Sequence, residues 1–229
     1  MFHRFFNFLR QSLLTILLLL LLGLMAACSW FVYQGHQLYE SAAAVTPIST
    51  LHDTIRSRTH YAAYDSLPQT YVDAVICTED EHFMTHKGID PGAIARALLA
   101  DLRTRSLAEG GSTLTQQLAK NALFTQEKQM TRKAAEAFAA IDIEKTYTKQ
   151  QIFEMYANTI YFGSGCYGIE EAAEGYFGKT ADQLTDAEAI VLAGLPNAPS
   201  AYASSPELAL KRTQTVLKRM VKCHALTQN

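Results

Sequence analysis

The feature that most constrains this chain is an uncharged apolar run near its N-terminus. No Asp, Glu, Lys or Arg occurs from Leu13 to Tyr33, and the stretch from Leu17 to Leu22 consists only of leucines. As a helix, this run of 21 residues is about 30 Å long, which matches the hydrocarbon core of a bilayer. The run therefore predicts one transmembrane helix, with residues 1–34 forming the N-terminal tail and the membrane anchor.

The basic residues around this run indicate its orientation. Arg4 and Arg10 precede it, whereas the first Lys or Arg after it is Arg56, and positive charge favours the cytoplasmic side. We therefore expect a cytoplasmic N-terminus and a domain on the outer face of the membrane. Two alternatives stay open: a signal peptide cleaved near Ala27, and a lipoprotein modified at Cys28. The apolar run continues past both residues into an aromatic edge, which favours the uncleaved anchor.

The rest of the chain has the composition of a water-exposed domain. Residues 56–229 hold 38 of the 42 charged side chains, and the whole chain has a net charge of −2. This balance excludes a nucleic-acid binder that relies on a global basic field, and it excludes an acidic disordered tail. We place a helical stalk and an irregular linker at 35–65, with Pro47 as a break, and one domain at 66–225.

The four cysteines show no C-x-x-C spacing, which argues against a zinc site or a redox motif. They are Cys28, Cys77, Cys166 and Cys223. Free thiols are favoured, and a disulfide among the last three stays open.

Helix signals dominate the domain. Three capping boxes predict helix starts at Ser66, Thr148 and Thr185, and the first of these predicts a helix near Pro68 to Thr78. Further helices are expected after Pro91 and Pro206. The best strand signal is Thr159 to Phe162, and it is short. The sequence therefore predicts a mainly α domain of eight or more helices.

Carboxylates and histidines crowd the segment from Glu79 to Gly88, at the end of the first predicted domain helix. His82 and His86 are four residues apart, but the segment lacks the H-E-x-x-H arrangement of a helical zinc site. A solvated helix end accounts for most of these charges. The functional alternative is a general acid or base at a point where a helix ends at a cleft.

Two adjacent glycines lead into Ser112 and Thr113 at another predicted helix start. Free backbone amides and the helix dipole attract an anion there, although the G-x-x-x-x-G-K-[ST] order of a nucleotide loop is absent. An ordinary capped helix is the alternative. Gln116 and Lys120 are four residues apart and so share one polar face, which favours the anion-facing interpretation.

Two later segments carry charge in settings that need an explanation. Arg132 and Glu136 have i,i+4 spacing within a basic cluster, for which a helix-surface ion pair is the simplest interpretation.

Glu154 is the one carboxylate between Ile152 and Ala157, so it lies at the edge of a buried stripe or faces a cleft. Partial desolvation there would raise its pKa and suit acid–base chemistry. A Gly/aromatic loop follows at 161–168, of the kind that packs against sugar rings.

Four motifs in this order resemble the peptidoglycan glycosyltransferase family 51. They are E-D-x-x-F-x-x-H-x-G at 79–88, G-S-T-x-T-Q-Q at 111–117, R-K-x-x-E at 132–136 and I-x-E-x-Y-x-N at 152–158. The resemblance extends from about Ser66 to Met220. Because a penicillin-binding transpeptidase domain has no room after residue 229, it implies the monofunctional biosynthetic form, or else a fragment of a bifunctional protein.

The resemblance implies polymerisation of lipid II into β-1,4 glycan strands, with release of undecaprenyl diphosphate and inversion of configuration. Glu79 matches the general base, and Glu154 matches a second glutamate that assists the leaving group directly or through a divalent cation such as Mg²⁺ or Mn²⁺. The residues that match cations near the diphosphate are Lys120, Arg132 and Lys133. Lys128 is a weaker match, since it stands where a relative has Arg and lacks the bidentate fork. The residues expected to line the same cleft are Arg96, Ser112, Thr113, Gln116 and Gln117.

The resemblance also implies a lysozyme-like α lobe and a small membrane-associated jaw, for which the apolar side of residues 93–102 is a candidate. The implied location is the bacterial cytoplasmic membrane, and the implied partners are lipid II, a lipid-linked glycan strand, the bilayer and cell-wall synthesis proteins, with no nucleic acid. Two other function classes stay open: a muramidase or lytic transglycosylase that cleaves strands, and a non-enzymatic scaffold. The cations at Lys120 and Lys133 favour the transferase, because strand cleavage has no diphosphate to neutralise.

Overall fold

The computed structural model describes residues 2–104, 110–124 and 130–226, and within them the chain is mainly α-helical, as predicted. The helices are α1 (Phe2–Val45), α2 (Leu51–Arg56), α3 (Gln69–Glu79), α4 (Pro91–Thr104), α5 (Leu114–Leu123), α6 (Met130–Thr146), α7 (Lys149–Ala157), α8 (Ile169–Phe177), α9 (Asp186–Gly194), α10 (Pro199–Ser204) and α11 (Pro206–Lys222). Short 3₁₀ turns occur at Ile48–Thr50, Tyr64–Ser66, Ala181–Gln183 and Leu195–Asn197. One antiparallel hairpin pairs β1 (Tyr161–Gly163) with β2 (Cys166–Tyr167).

Helix α1 joins the apolar run to the domain without a break. Within the described residues, it is the helix long and apolar enough to cross a membrane, over Phe6–Val45. Its leucines from Leu13 to Leu24 are exposed, and from Gly35 onward the helix packs against α6. A Cβ at Gly35 would lie 2.4 Å from the Cβ of Ala134, so only glycine permits this close approach. The Tyr39 hydroxyl, one turn further, donates to Asp142 Oδ2 at 2.6 Å.

The segment expected to be an irregular linker contributes to the core. Ile48, Leu51 and Ile55 are buried, and they belong to the same hydrophobic cluster as α3, α5, α7 and α9. Phe153 of α7 lies near its centre, with its ring 6.1 Å from that of Tyr71. The chain therefore folds as part of the domain soon after α1 ends.

Two of the three predicted capping boxes are confirmed. Thr148 and Thr185 each accept a hydrogen bond from the backbone N–H three residues on, and each receives the reciprocal side-chain contact. The box at Ser66 is wrong, and α3 begins at Gln69. Leu67 precedes a proline, which disfavours the helical conformation, and it is extended with a ψ of 135°. The Ser66 hydroxyl instead donates to the Ala63 carbonyl at 2.7 Å.

The observed hairpin lies close to the predicted strand. Its first strand is shifted toward the C-terminus relative to the prediction. Thr159 follows the C-cap of α7 and is held to that helix, since its hydroxyl donates to the Met155 carbonyl at 2.8 Å. Strand pairing begins at Tyr161, and Ser164 and Gly165, both at positive φ, turn the chain. The predicted C-terminal helix is present as α11, and the Ser205 side chain caps its start.

Candidate active site

Glu79 is the last residue of α3, and its carboxylate lies where α5 and α11 meet that helix. Arg212 of α11 places Nη2 2.7 Å from Glu79 Oε1, and Gln117 of α5 donates from Nε2 to Oε2 at 3.3 Å. The Glu79 side chain is 13% exposed, so it borders the surface without being solvated like a surface glutamate. Three helices from distant parts of the chain therefore define its surroundings.

Burial raises the pKa of Glu79, against the opposing effect of the Arg212 charge and the hydrogen bonds from Gln117 and Arg212. Its position at a helix C-terminus acts in the same direction, because the partial negative charge of the dipole disfavours a carboxylate there. A glutamate with a raised pKa accepts a proton more readily than an exposed one. The setting suits a general base.

Two tyrosine hydroxyls lie in the protein interior near Glu79. Tyr71 and Tyr156 are fully buried, and neither hydroxyl has a hydrogen-bond partner within the described residues. Burial raises the pKa of both hydroxyls, and the Glu79 charge raises it further, so both lie within electrostatic reach of that carboxylate. Such unpaired groups cost stability and are uncommon in native interiors.

The loop after Glu79 is tied to the start of α5. Asp80 Oδ2 accepts the backbone N–H of Leu114 at 2.8 Å, and the Thr113 hydroxyl donates to the Gly88 carbonyl at 2.6 Å. Thr113 also forms a capping box in which Gln116 Oε1 accepts the Thr113 N–H at 3.0 Å. Gln116 is therefore a buried capping residue, 3% exposed, rather than part of an exposed face shared with Lys120.

The two histidines of this loop bind different aspartates. His82 Nδ1 lies 2.6 Å from Asp90 Oδ2, and His86 Nε2 lies 2.8 Å from Asp80 Oδ2. The Gly88 N–H donates to His86 Nδ1 at 3.1 Å, so the ring proton is on Nε2 and points at Asp80. Both histidines therefore stabilise the loop that follows Glu79.

The predicted cations of α6 surround a buried carboxylate. Glu136 is 1% exposed, and it accepts from Arg132 Nε at 3.1 Å and from Lys133 Nζ at 2.9 Å. Lys133 also donates to Ser112 Oγ at 2.5 Å, which joins α6 to the glycine-led start of α5. The expected helix-surface ion pair is thus centred on a buried carboxylate that holds two cations, of which Lys133 is 56% exposed.

The remaining predicted cations differ in their surroundings. Lys120 of α5 is half-buried, and its ammonium group makes no hydrogen bond or ion pair with the described residues. Arg96 of α4 is 62% exposed and lies 3.7 Å from Asp90. Lys128 lies outside the described residues.

Comparison with known proteins identifies the family. The sequence profile of the transglycosylase family matches residues 45–221. This chain belongs to the transglycosylase family. It is 44% identical over 197 residues to penicillin-binding protein 1A of Aquifex aeolicus, 85% of this chain and 26% of that protein. It is 45% identical over 166 residues to penicillin-binding protein 1A of Escherichia coli, 72% of this chain and 20% of that protein. The chain thus spans about a quarter of the length of the curated relatives that it matches.

In this transglycosylase domain, Glu154 and Glu79 share no hydrogen-bond partner among the described residues. The Glu154 carboxylate receives hydrogen bonds from the Tyr61 hydroxyl and, at 2.7 Å, from the Tyr64 backbone N–H, and it lies 2.8 Å from His52 Nε2. Burial acts to raise the pKa of Glu154, but these hydrogen bonds outweigh it, and the pKa is lowered. The direction is opposite to that expected from desolvation alone. The carboxylate ties α7 to the chain between α2 and α3.

Sequence reasoning missed Arg212 as a site residue of the transglycosylase domain. Arg212 lies 133 residues from Glu79 along the chain, and no local motif connects the two. A signal was present in α11, because Arg212 shares i,i+4 spacing with Val216 and Met220, which are both buried. An arginine in line with an apolar stripe needs a buried anion as partner.

Proposed function

We propose that this chain is a peptidoglycan glycosyltransferase that polymerises lipid II into β-1,4 glycan strands and releases undecaprenyl diphosphate with inversion at the anomeric carbon. The observation that carries the proposal is a largely buried carboxylate, Glu79, in a transglycosylase domain whose helices α5 and α6 present Lys120 and Lys133. Such a displacement needs a base at the attacking hydroxyl and positive charge at the departing diphosphate.

In the proposed step, the 4-hydroxyl of the acceptor GlcNAc attacks the anomeric carbon of the donor MurNAc. Glu79 takes the hydroxyl proton, which its raised pKa favours. The bond from the anomeric carbon to the diphosphate oxygen breaks, and cationic side chains stabilise the negative charge that develops there. We assign that role to Lys120, Arg132 and Lys133, and we assign Ser112 to the same group because it contacts Lys133.

The contacts support Glu136, rather than Glu154, as the second carboxylate of the site. Glu136 holds Arg132 and Lys133 in place, and we propose that it is a positioning residue for these cations. Glu154 is occupied by three internal partners from the chain before α3, which supports a structural role.

A divalent cation does not fit the carboxylates of the described residues. Both oxygens of Glu136 are engaged by cationic side chains, and no group of three or more His, Cys, Asp or Glu within the described ranges is arranged to hold a metal. We therefore assign the stabilisation of the diphosphate to the protein cations.

We further propose that the domain lies on the outer face of the bacterial cytoplasmic membrane, with the N-terminus inside. The charge asymmetry around the apolar run supports this orientation. Helix α4 presents Ile94 and Leu99 to the exterior, 38% and 56% exposed, which supports a jaw that contacts lipid. Both substrates carry a polyprenyl tail, so a catalyst held at the bilayer meets them where they reside.

The proposal is tested with the full chain reconstituted in liposomes that contain labelled lipid II. We expect polymer, and we expect Lys120→Ala to reduce its rate by about 10²–10³, the usual cost of one preorganised electrostatic contact. The matched control is Lys211→Ala, which removes an exposed lysine paired with Glu207 and leaves the rate unchanged. A folded wild-type chain that makes no polymer, or that cleaves preformed glycan strands instead, would exclude the proposed activity.

Docking of the anchor on α6 has its own test in the same liposomes. Gly35→Ala places a methyl group against Ala134 and should separate α1 from α6, which reduces polymerisation severalfold. Gly23→Ala is the matched control, because a Cβ at that position meets nothing within 4 Å. Equal activity of the two variants would show that the contact does not support catalysis.

A further inference from the structure

Two cysteines lie together where α3 and α11 end. Cys77 is in the last turn of α3 and is 6% exposed, and Cys223 is the C-cap residue of α11. The Cys223 thiol donates to the Cys77 carbonyl across 3.9 Å. That carbonyl is one of the last in its helix, where a backbone partner is normally lacking. The contact therefore joins the two helix ends through a sulfur.

Burial and the neighbouring Cys223 thiol together raise the pKa of the Cys77 thiol to about 12. Both thiols therefore belong to the contact between the two helix ends. The other cysteines are placed differently: Cys28 is exposed on the apolar part of α1, and Cys166 lies in β2. Of the cysteines, all within the described residues, this pair is the one whose thiols interact.

The backbone on both sides of the pair is fixed. The end of α11 is closed by a hydrogen bond from the Ala225 N–H to the Met220 carbonyl at 2.9 Å, with His224 at a φ of 60°. This pattern is a Schellman motif, in which a residue of left-handed conformation ends a helix. Lys222 Nζ also lies 3.6 Å from Glu81 Oε2, just beyond α3. The Cys223 sulfur already lies 3.9 Å from the backbone of Cys77, and a disulfide requires the backbones of its two cysteines to be close in this way.

We propose that Cys77 and Cys223 form an intramolecular disulfide when the domain meets a thiol oxidant. Disulfides persist in oxidising compartments outside the cytoplasm, and the proposed orientation of the chain places the pair in one. The bond would link the helix that carries Glu79 to the helix that carries Arg212. It modifies the scaffold of the site and touches neither of these side chains.

The oxidant is a small disulfide compound such as glutathione disulfide. The Cys223 thiolate attacks one of its sulfurs, and one glutathione leaves as a thiol. The Cys77 thiolate then attacks the Cys223 sulfur and releases the second glutathione, so two electrons and two protons pass to the oxidant. The raised pKa of Cys77 makes this second step slow in the folded protein at neutral pH, and mildly alkaline buffer accelerates it.

The bond would close a long loop, because the two residues are 146 positions apart. Cross-links that close long loops restrict the unfolded chain most, so oxidation should raise the melting temperature by about 5 °C or more. Since the helix ends are already in contact, we expect the polymerisation rate at 25 °C to change less than twofold.

The experiment uses the full chain in detergent, equilibrated with glutathione disulfide at pH 8.5 and, separately, with dithiothreitol. Free thiols are blocked with N-ethylmaleimide, and tryptic peptides are examined by mass spectrometry. We expect a linked pair of peptides containing Cys77 and Cys223 after oxidation, lost on reduction and absent from Cys223→Ser. Cys166→Ser is the matched control and retains the link.

Complete alkylation of both thiols after prolonged oxidation, or a link from either residue to Cys166, would overturn the proposal. Cys223→Ala provides a second variant with a smaller side chain, and its melting temperature should be the same under both conditions. The readout is the mass of a peptide, so it stands whether or not the chain polymerises lipid II.

Discussion

Glu79 and Glu154 are two glutamates of the same domain with nearly the same exposure, 13% and 12%, yet their pKa values shift in opposite directions. Glu79 has one cation and one amide as hydrogen-bond partners. Glu154 has a hydroxyl, a backbone N–H and an imidazole. Similar side-chain exposure therefore does not imply a similar pKa. The balance between desolvation and the donors that each carboxylate receives makes the difference.

The positions of the two glutamates within their helices sharpen the contrast. Glu79 ends α3, where the helix dipole disfavours negative charge, whereas Glu154 lies within α7 and reaches back to the chain before α3. Under the proposed function, the Glu79 carboxylate accepts a substrate proton. The Glu154 carboxylate holds two segments of the chain together.

The largest expected effect separates the two residues by activity. Glu79→Gln removes the proposed base and should lower the polymerisation rate by at least about 10², whereas Glu154→Gln should lower it less than tenfold. Rates are measured on labelled lipid II at equal concentrations of folded protein, with circular dichroism as the control for folding. Wild-type activity in Glu79→Gln would contradict the assignment of Glu79 as the general base. Equal losses of activity in both variants would indicate that Glu154 also takes part in catalysis.

The same two variants should also differ in stability, and here Glu154→Gln should show the larger loss. Glu154→Gln weakens three internal hydrogen bonds, which costs about 1–3 kcal/mol and lowers the melting temperature by about 5 °C. Glu79→Gln replaces a carboxylate whose charged form is disfavoured in the fold, so its melting temperature should be unchanged or higher. Thermal unfolding at pH 7 measures both. A destabilised Glu79→Gln beside a stable Glu154→Gln would invert the comparison.

The opposite pKa directions predict opposite dependences on pH. The lowered pKa of Glu154 contributes stability that is present above the usual value of 4.5 and lost as the pH falls through the lowered pKa. Glu79 has a raised pKa and must be ionised to act as a base, so the acid limb of kcat/KM should lie above pH 4.5.

The charged groups that lower the Glu79 pKa are Arg212 and Arg219, both on α11. Replacement of Arg212 by Gln should therefore move the acid limb to still higher pH. A profile of kcat/KM against pH for the wild type and the Arg212→Gln variant measures the shift. A limb that stays in place would show that Arg212 does not control this pKa.

The smallest expected effect concerns the hydroxyls near Glu79. Tyr156→Phe removes a buried hydroxyl without a partner in the described residues, so it should be neutral or stabilise the fold by up to about 1 kcal/mol. Tyr176→Phe is the control, because its hydroxyl donates to the Phe162 carbonyl at 2.9 Å and its loss should destabilise. A clear destabilisation by Tyr156→Phe would mean that an internal water pairs this hydroxyl.

Sequence patterns predicted the features that depend on neighbouring residues. The boxes at Thr148 and Thr185 need only a residue three positions away, and both formed. The box at Ser66 failed for an equally local reason, the restriction that Pro68 places on Leu67. The helix long and apolar enough to cross a membrane was predictable because hydropathy and length alone define it.

The site was less predictable, because its contacts join distant parts of the chain. Periodicity placed Gln116 on a polar face, but the capping box turned it inward and left Gln117 to contact Glu79. The apolar neighbours of Glu154 predicted its burial correctly, but the predicted rise in its pKa was wrong. The hydrogen-bond donors that lower the pKa are about 90 to 102 positions away along the chain, so no local pattern shows them. Residue type and spacing were enough to identify the candidate site residues. Their hydrogen-bond partners depend on tertiary contacts, which the sequence pattern does not show.

The unbroken course of α1 has a mechanical consequence. No flexible joint separates its exposed apolar part from the part that packs on α6, and the packed residues 35–45 extend about 16 Å along the helix axis. A change in helix tilt, such as a thicker bilayer produces, would be transmitted directly to the domain. The thickness of the lipid layer would then help to set the height of Glu79 above the membrane, and with it the length of substrate that reaches the carboxylate.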